Sequence, residues 1–108
     1  MKVNELIKKL ELSVLCEGDT ERSCEGCYSG DLLSWVMSKA KENDIWLTVM
    51  GNVNAVAVAV LTDCACIVLT ENSSLDEEAK QRAVQQGVTI LRSEKNAYEL
   101  SVLISQLL

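Results

Sequence analysis

The fold of this chain turns on Ile45-Trp46-Leu47-Thr48-Val49-Met50, the turn Gly51-Asn52, the block Val53-Asn54-Ala55-Val56-Ala57-Val58-Ala59-Val60-Leu61, and Cys66-Ile67-Val68-Leu69-Thr70. Residues 45–50 and 66–70 are rich in β-branched and large apolar side chains and read as buried strands. The block between them alternates Val with Ala. That pattern suits a buried strand or a helix buried on most sides, and period alone does not separate the two. A helix is preferred, because neighbouring parallel strands need a crossover between them.

Towards the C-terminus the alternation continues. Ser74 with Glu77 makes a capping box for a helix over Leu75–Gln86, and Gly87 stands where a left-handed terminator belongs. Val88–Leu91 reads as a strand. Asn96 with Glu99 opens a last helix that runs through Leu107. Towards the N-terminus, Asp31 is placed to cap a helix carrying Leu32, Leu33, Trp35, Val36, Met37 and Ala40, which Asn43 ends. A short strand, Tyr28–Gly30, feeds it. Cys16–Cys27 is a long polar loop, Leu12–Leu15 a short strand, and Val3, Leu6, Ile7 and Leu10 one helical stripe. The expected architecture is a single α/β domain over 1–108. It is a three-layer sandwich with a short, mainly parallel sheet of about five strands flanked by helices.

Composition narrows the function. The chain has 108 residues, enough for one substantial core. Sixteen Asp and Glu stand against ten Lys and Arg, so the clustered cations that displace counterions from nucleic acid are missing. The longest apolar run, residues 53–61, is too short to span a bilayer, and residues 1–10 are periodic rather than a continuous apolar leader. The expectation is a cytoplasmic protein that binds neither nucleic acid nor membrane. There is no His, the commonest proton carrier near neutral pH. Catalysis is therefore disfavoured.

Two sets of residues compete as sites. Ligands of open parallel sheets sit beyond the carboxyl ends of the strands. The expected contacts for a small ligand there are Asp31, Asn52 and Asn54, with Arg22 and Ser34 behind them. Glu71, Asn72 and Ser93 fall on the same edge. Each has a structural alternative: Asp31 as a cap, Ser34 as a first-turn polar residue, Arg22 as a loop anchor. The second set is Cys24, Cys27, Cys64 and Cys66, expected at the opposite edge. Cys24 and Cys27 have the Cys-x-x-Cys spacing that lets two thiolates chelate one metal, so zinc or an iron–sulfur cluster is the cofactor to test. Inert thiols are the alternative. Cys16 is expected at the other edge of the sheet, outside any such cluster. Trp35, Val36, Met37 and residues 53–61 supply more apolar surface than a small sheet needs to cover itself, so a homodimer interface is expected, with complete burial inside the monomer as the alternative.

Glu21-Arg22-Ser23-Cys24-Glu25-Gly26-Cys27-Tyr28, followed by Asp31-Leu32-Leu33-Ser34, resembles the signature of the DRTGG domain family. There a loop of the form Asp-Arg-x-x-Thr-Gly-Gly-Tyr leads into an Asp-Leu-Leu-Ser helix start. Glu21 and Arg22 match the Asp-Arg pair and Gly26 the first Gly, whereas Glu25 replaces Thr and Cys27 the second Gly. The strand and Val-Ala block at 45–60 and the final strand and helix are similar as well. The resemblance implies a fold like the N-terminal domain of HPr kinase. It also implies a non-enzymatic regulatory or accessory role, with dimerisation and ligand sensing as its content. Stand-alone relatives imply a partner protein in redox or signalling systems, including iron-only hydrogenase metabolism. Kinase activity is not implied, since the chain lacks the Gly-x-x-x-x-Gly-Lys-Ser/Thr phosphate loop.

Overall fold

A computed structural model describes all residues, 1–108. Five helices and five strands follow in the order α1 (Val3–Lys9), β1 (Ser13–Cys16), β2 (Gly26–Ser29), α2 (Leu33–Lys39), β3 (Asp44–Thr48), α3 (Val53–Thr62), β4 (Cys66–Leu69), α4 (Glu77–Gln86), β5 (Ile90–Arg92) and α5 (Ala97–Leu107). They build one five-stranded sheet in the spatial order β1-β5-β4-β3-β2. The pairs β2–β3, β3–β4 and β4–β5 are parallel, and β1 runs antiparallel beside β5. The fold is the expected one. The direction of β1 has a consequence for the cysteines, described below.

The ambiguous Val-Ala block is the helix α3. The Asn52 side chain accepts from the Ala55 N–H at 2.9 Å and starts it, and Asp63 ends it in the left-handed conformation at φ 55°. Because β2 to β5 lie side by side in chain order, right-handed crossovers carry α2, α3 and α4 to the same face of the sheet. Ala55 and Ala59 of α3 and Ala79 and Ala83 of α4 are all buried in the core there, and these small side chains let the two helices approach closely. Trp46, Ile67, Leu69 and Ile90 face that layer. The other face is covered by the chain's two ends: Val3 and Leu6 of α1 and Leu100 and Ile104 of α5 close over Ile45, Leu47, Val68 and Leu91. Strands β3 and β4 are buried along their whole length, as strands covered on both faces must be.

Three local expectations differ. Asp31 does not cap α2, whose cap position is Leu32 with no side-chain bond; its carboxylate is taken by β3 instead. Ser74 and Glu77 make no capping box, because α4 begins at Glu77 with Asp76 in the cap position, and the chain at Ser74 packs instead against the turn at Gly51. Asn43 is left-handed, φ 67°, but α2 has already ended at Lys39. Gly87 (φ 69°) and the Asn96–Glu99 capping box are as expected.

Candidate functional site

Asp31 leaves the end of β2 and reaches across to β3. One carboxylate oxygen accepts from the Thr48 hydroxyl at 2.7 Å and from the Val49 N–H at 2.9 Å. The Thr48 hydroxyl in turn accepts from the Met50 N–H at 3.2 Å. Beside it the Trp46 indole N–H donates to the Gly30 carbonyl at 2.9 Å. The exits of β2 and β3 are thus clasped together, and the second Asp31 oxygen makes no bond within the protein.

The same edge carries Asn52 and Asn54 at the start of α3 and Ser34 in the first turn of α2. Asn52 spends its carbonyl oxygen on the cap and keeps its amide N–H₂ free. Asn54 and Ser34 are exposed and unbonded. This stretch of the edge, the shelf, offers one carboxylate oxygen, two amides and a hydroxyl that make no bond within the protein. It contains no nucleophile paired with a base. Thr48, which fixes the Asp31 carboxylate, was missed in the sequence because a threonine closing a buried strand carries no signal of its partner. Glu71, Asn72 and Ser93 lie at the far end of this edge, beyond β4 and β5.

Arg22 is not part of the shelf. It sits at the opposite, amino-terminal edge, where its guanidinium pairs with the Asp63 carboxylate at 2.9 Å, donates to Asn43 Oδ1 at 2.9 Å and donates to the Asp63 carbonyl. This is the loop-anchor role. It ties the long 17–25 loop to the end of α3, and the guanidinium holds the Asp63 carboxyl below the usual carboxylate range.

The cysteines also lie at the amino-terminal edge, but not around one centre. Cys27 and Cys66 are both level with Ile45, on either side of β3. Their backbones are therefore about two strand spacings apart, roughly 9–10 Å, whereas sulfurs sharing one metal lie within about 5 Å. Cys64 belongs to the core under α3 and α4, while Cys24 and Cys66 belong to the core under α1 and α5. No group of three or more Cys, Asp or Glu side chains is arranged to hold a metal ion. The donor set does not fit a four-thiolate zinc or iron–sulfur centre.

What the structure does bring together is Cys24 and Cys66. Both lie in the core under α1 and α5, and their mutual interaction holds Cys24 below and pushes Cys66 well above the ordinary thiol range. Burial pushes Cys64 up to about 11. Cys27, exposed on the edge strand β2, also rises to about 11, by desolvation first and the Asp44 carboxylate next. Cys16 is at this same edge and not at the other, because the antiparallel β1 ends beside the start of β5, with Cys16 level with Ile90.

The outer face of α2 and α3 is apolar. Leu32, Trp35, Met37, Val60 and Leu61 are exposed, Leu61 at 70%, and Lys39 lies over the Trp35 ring at 5.8 Å. No helix is long and apolar enough to cross a membrane.

The family model of the DRTGG domain matches residues 5–107. Among solved structures, the chain is similar to the CBS and DRTGG domains of the regulatory region of Clostridium perfringens pyrophosphatase, complexed with the activator diadenosine tetraphosphate. The TM-score is 0.76 at 12% sequence identity. The match covers 99% of this chain and 47% of that one, so the chain spans about half the length of the structure it matches. No curated protein sequence matches significantly.

Proposed function

This chain belongs to the DRTGG domain family, and from that premise we propose that it is a non-enzymatic regulatory domain that senses a small polar ligand at the Asp31 shelf. The observation that carries the proposal is the Asp31 carboxylate. It is fixed at the carboxyl ends of β2 and β3 with one oxygen free, on the edge where Asn52 and Asn54 open α3. That edge is where open α/β sheets receive ligands. The similar pyrophosphatase region is regulatory and was solved with a dinucleotide activator, which makes nucleotides the first compounds to try.

We further propose a cytoplasmic homodimer formed through the outer face of α2 and α3. Exposed Leu32, Trp35 and Met37 on α2 and Val60 and Leu61 on α3 support it, since large exposed apolar surface on soluble domains marks interaction sites. Ligand on the shelf contacts the starts of these same two helices, so occupancy would bias the interface and, through it, a partner protein. Resemblance alone assigns that partner to anaerobic redox metabolism.

The test is a thermal-shift screen of metabolites and nucleotides, including diadenosine tetraphosphate, on the chain and on Asp31→Asn. The variant keeps an oxygen for Thr48 and Val49 but removes the charge. At least one compound should raise Tm by several degrees in the native chain and by much less in the variant. A screen with no responder, or equal responses in both proteins, refutes the sensing role. Sedimentation equilibrium of the native chain against Leu61→Glu tests the dimer: a native monomer refutes it.

A further inference from the structure

The carboxyl edge holds a second feature, on the other side of β4, that the shelf does not use. The chain leaves β4 towards α4, on the face that also carries α2 and α3, and leaves β5 towards α5, on the opposite face. Adjacent parallel strands whose connections part in this way open a crevice between them, and such switch points are where open α/β sheets bind ligands. The crevice is present here as a largely polar cleft of about 220 Å³, whose lining includes Glu11, Asn72, Arg92, Glu94 and Lys95. The antiparallel β1 completes it, because its first residue, Ser13, is level with Arg92.

Arg92 gives the cleft its chemistry. The chain has sixteen acidic residues and ten basic ones, so acidic partners are plentiful. Its ion pairs are nevertheless Lys2–Glu21 and Arg22–Asp63. Arg92 is half-buried, yet its guanidinium makes neither an ion pair nor a hydrogen bond within the protein. Lys95 adds a second unpaired cation. Glu11 and Glu94 on the same wall oppose a multiply charged ligand and favour one of low charge.

The walls are held in costly conformations. Glu11 and Asn72 have φ of 52° and 55°, left-handed values that non-glycine residues rarely adopt and that concentrate at ligand clamps. Backbone bonds hold the two loops in register: Glu71 N–H to the Lys95 carbonyl at 2.9 Å, Asn72 N–H to the Ser93 carbonyl at 2.8 Å, and Ser93 N–H to the Leu69 carbonyl at 2.9 Å.

We propose that this cleft is a binding site for a small oxyanion of low charge, a carboxylate or a phosphate group, held by the Arg92 guanidinium with Lys95 and the Asn72 amide. A planar guanidinium meets two oxygens of such a group at once. The site is separate from the Asp31 shelf and shares no residue with it.

The test is an amide NMR titration of the full chain with sodium phosphate and, separately, sodium acetate, against sodium chloride at matched ionic strength. Saturable shifts confined to residues 11–13, 72 and 92–95 are expected, and the tighter of the two anions identifies the group. Arg92→Gln should weaken that binding at least about tenfold, and Lys95→Gln, on an exposed residue, less. The dispersed spectrum of each variant reports its fold; if Arg92→Gln is unfolded, the Lys95→Gln titration decides. A response to neither anion, an equal response to chloride, or unchanged binding in the folded variants overturns the proposal. Shifts at Asp31, Asn52 and Asn54 alone would also overturn it, while leaving the shelf intact.

Discussion

Replacing Gly51 by alanine places a methyl carbon 2.0 Å from the Ser74 carbonyl oxygen and 3.0 Å from the Leu75 Cα. Both are backbone atoms, so no side chain can swing aside. Relief requires the turn after β3 and the loop before α4 to separate by more than an ångström. That motion also stretches the bond from the Asp76 N–H to the Gly51 carbonyl, 2.8 Å long. Overpacking of this kind costs about 1–3 kcal/mol, and a lost backbone bond about 1 kcal/mol more. The expected destabilisation is about 2–4 kcal/mol, a large share of a typical domain stability of roughly 5–15 kcal/mol. In a urea titration followed by Trp46 fluorescence it should lower the midpoint by about 1–2 M for an m-value near 2 kcal/mol/M. Gly87→Ala is the internal control. Its φ is 69° but nothing lies within 4 Å of the added carbon, so it pays only the left-handed backbone penalty, about 1–2 kcal/mol. If Gly51→Ala unfolds at the native midpoint, or Gly87→Ala is the worse of the two, the close approach of these loops is wrong.

Arg22→Met should lose about 1–2 kcal/mol, since it removes one partly exposed ion pair and two hydrogen bonds. Asp63 is lowered in the folded state, so the ionic part is fully present above about pH 4 and disappears as pH falls through the lowered value. The gap between the two proteins' midpoints should therefore narrow as pH falls from 7 through the lowered Asp63 value, leaving the contribution of the two hydrogen bonds; a difference independent of pH would refute the ion pair. At the other end of the scale, Cys64 and Cys66 are raised, so their protection is present below the ordinary thiol range, about 8.5, and is lost as pH rises towards the folded values. Cys64→Ala should show a flatter fall in stability between pH 8.5 and pH 10 than the native chain, and equal slopes would contradict the burial of that thiol.

What could be read from the sequence was local. The strand–helix–strand core, the Gly87 terminator and the Asn96–Glu99 box depend on near neighbours in the chain, and all are found. What stayed hidden depends on distant partners. Asp31 looked like a helix cap because its true partners, Thr48 and Val49, lie on another strand. Arg22 looked available for a ligand because Asp63 is 41 residues away. A four-residue strand such as β1 carries no mark of its direction, so Cys16 was assigned to the wrong edge. Nothing in Arg92-Ser93-Glu94-Lys95 announces that α5 departs to the face opposite α4, and the cleft exists only because it does.

The two layers over the sheet also differ in when they can form. Under α2, α3 and α4, contacts among β2 to β5 and their helices close short strand–helix–strand segments at small loop-closure cost, and only β1 joins from far along the chain, through Cys16 beside Ile90. The other layer joins α1 to α5, and so waits for segments some ninety residues apart to meet. Non-local closure of that kind slows folding. The half of the domain bearing the apolar α2–α3 face is thus built to assemble first, with the Cys24–Cys66 contact sealed as the chain's ends come together.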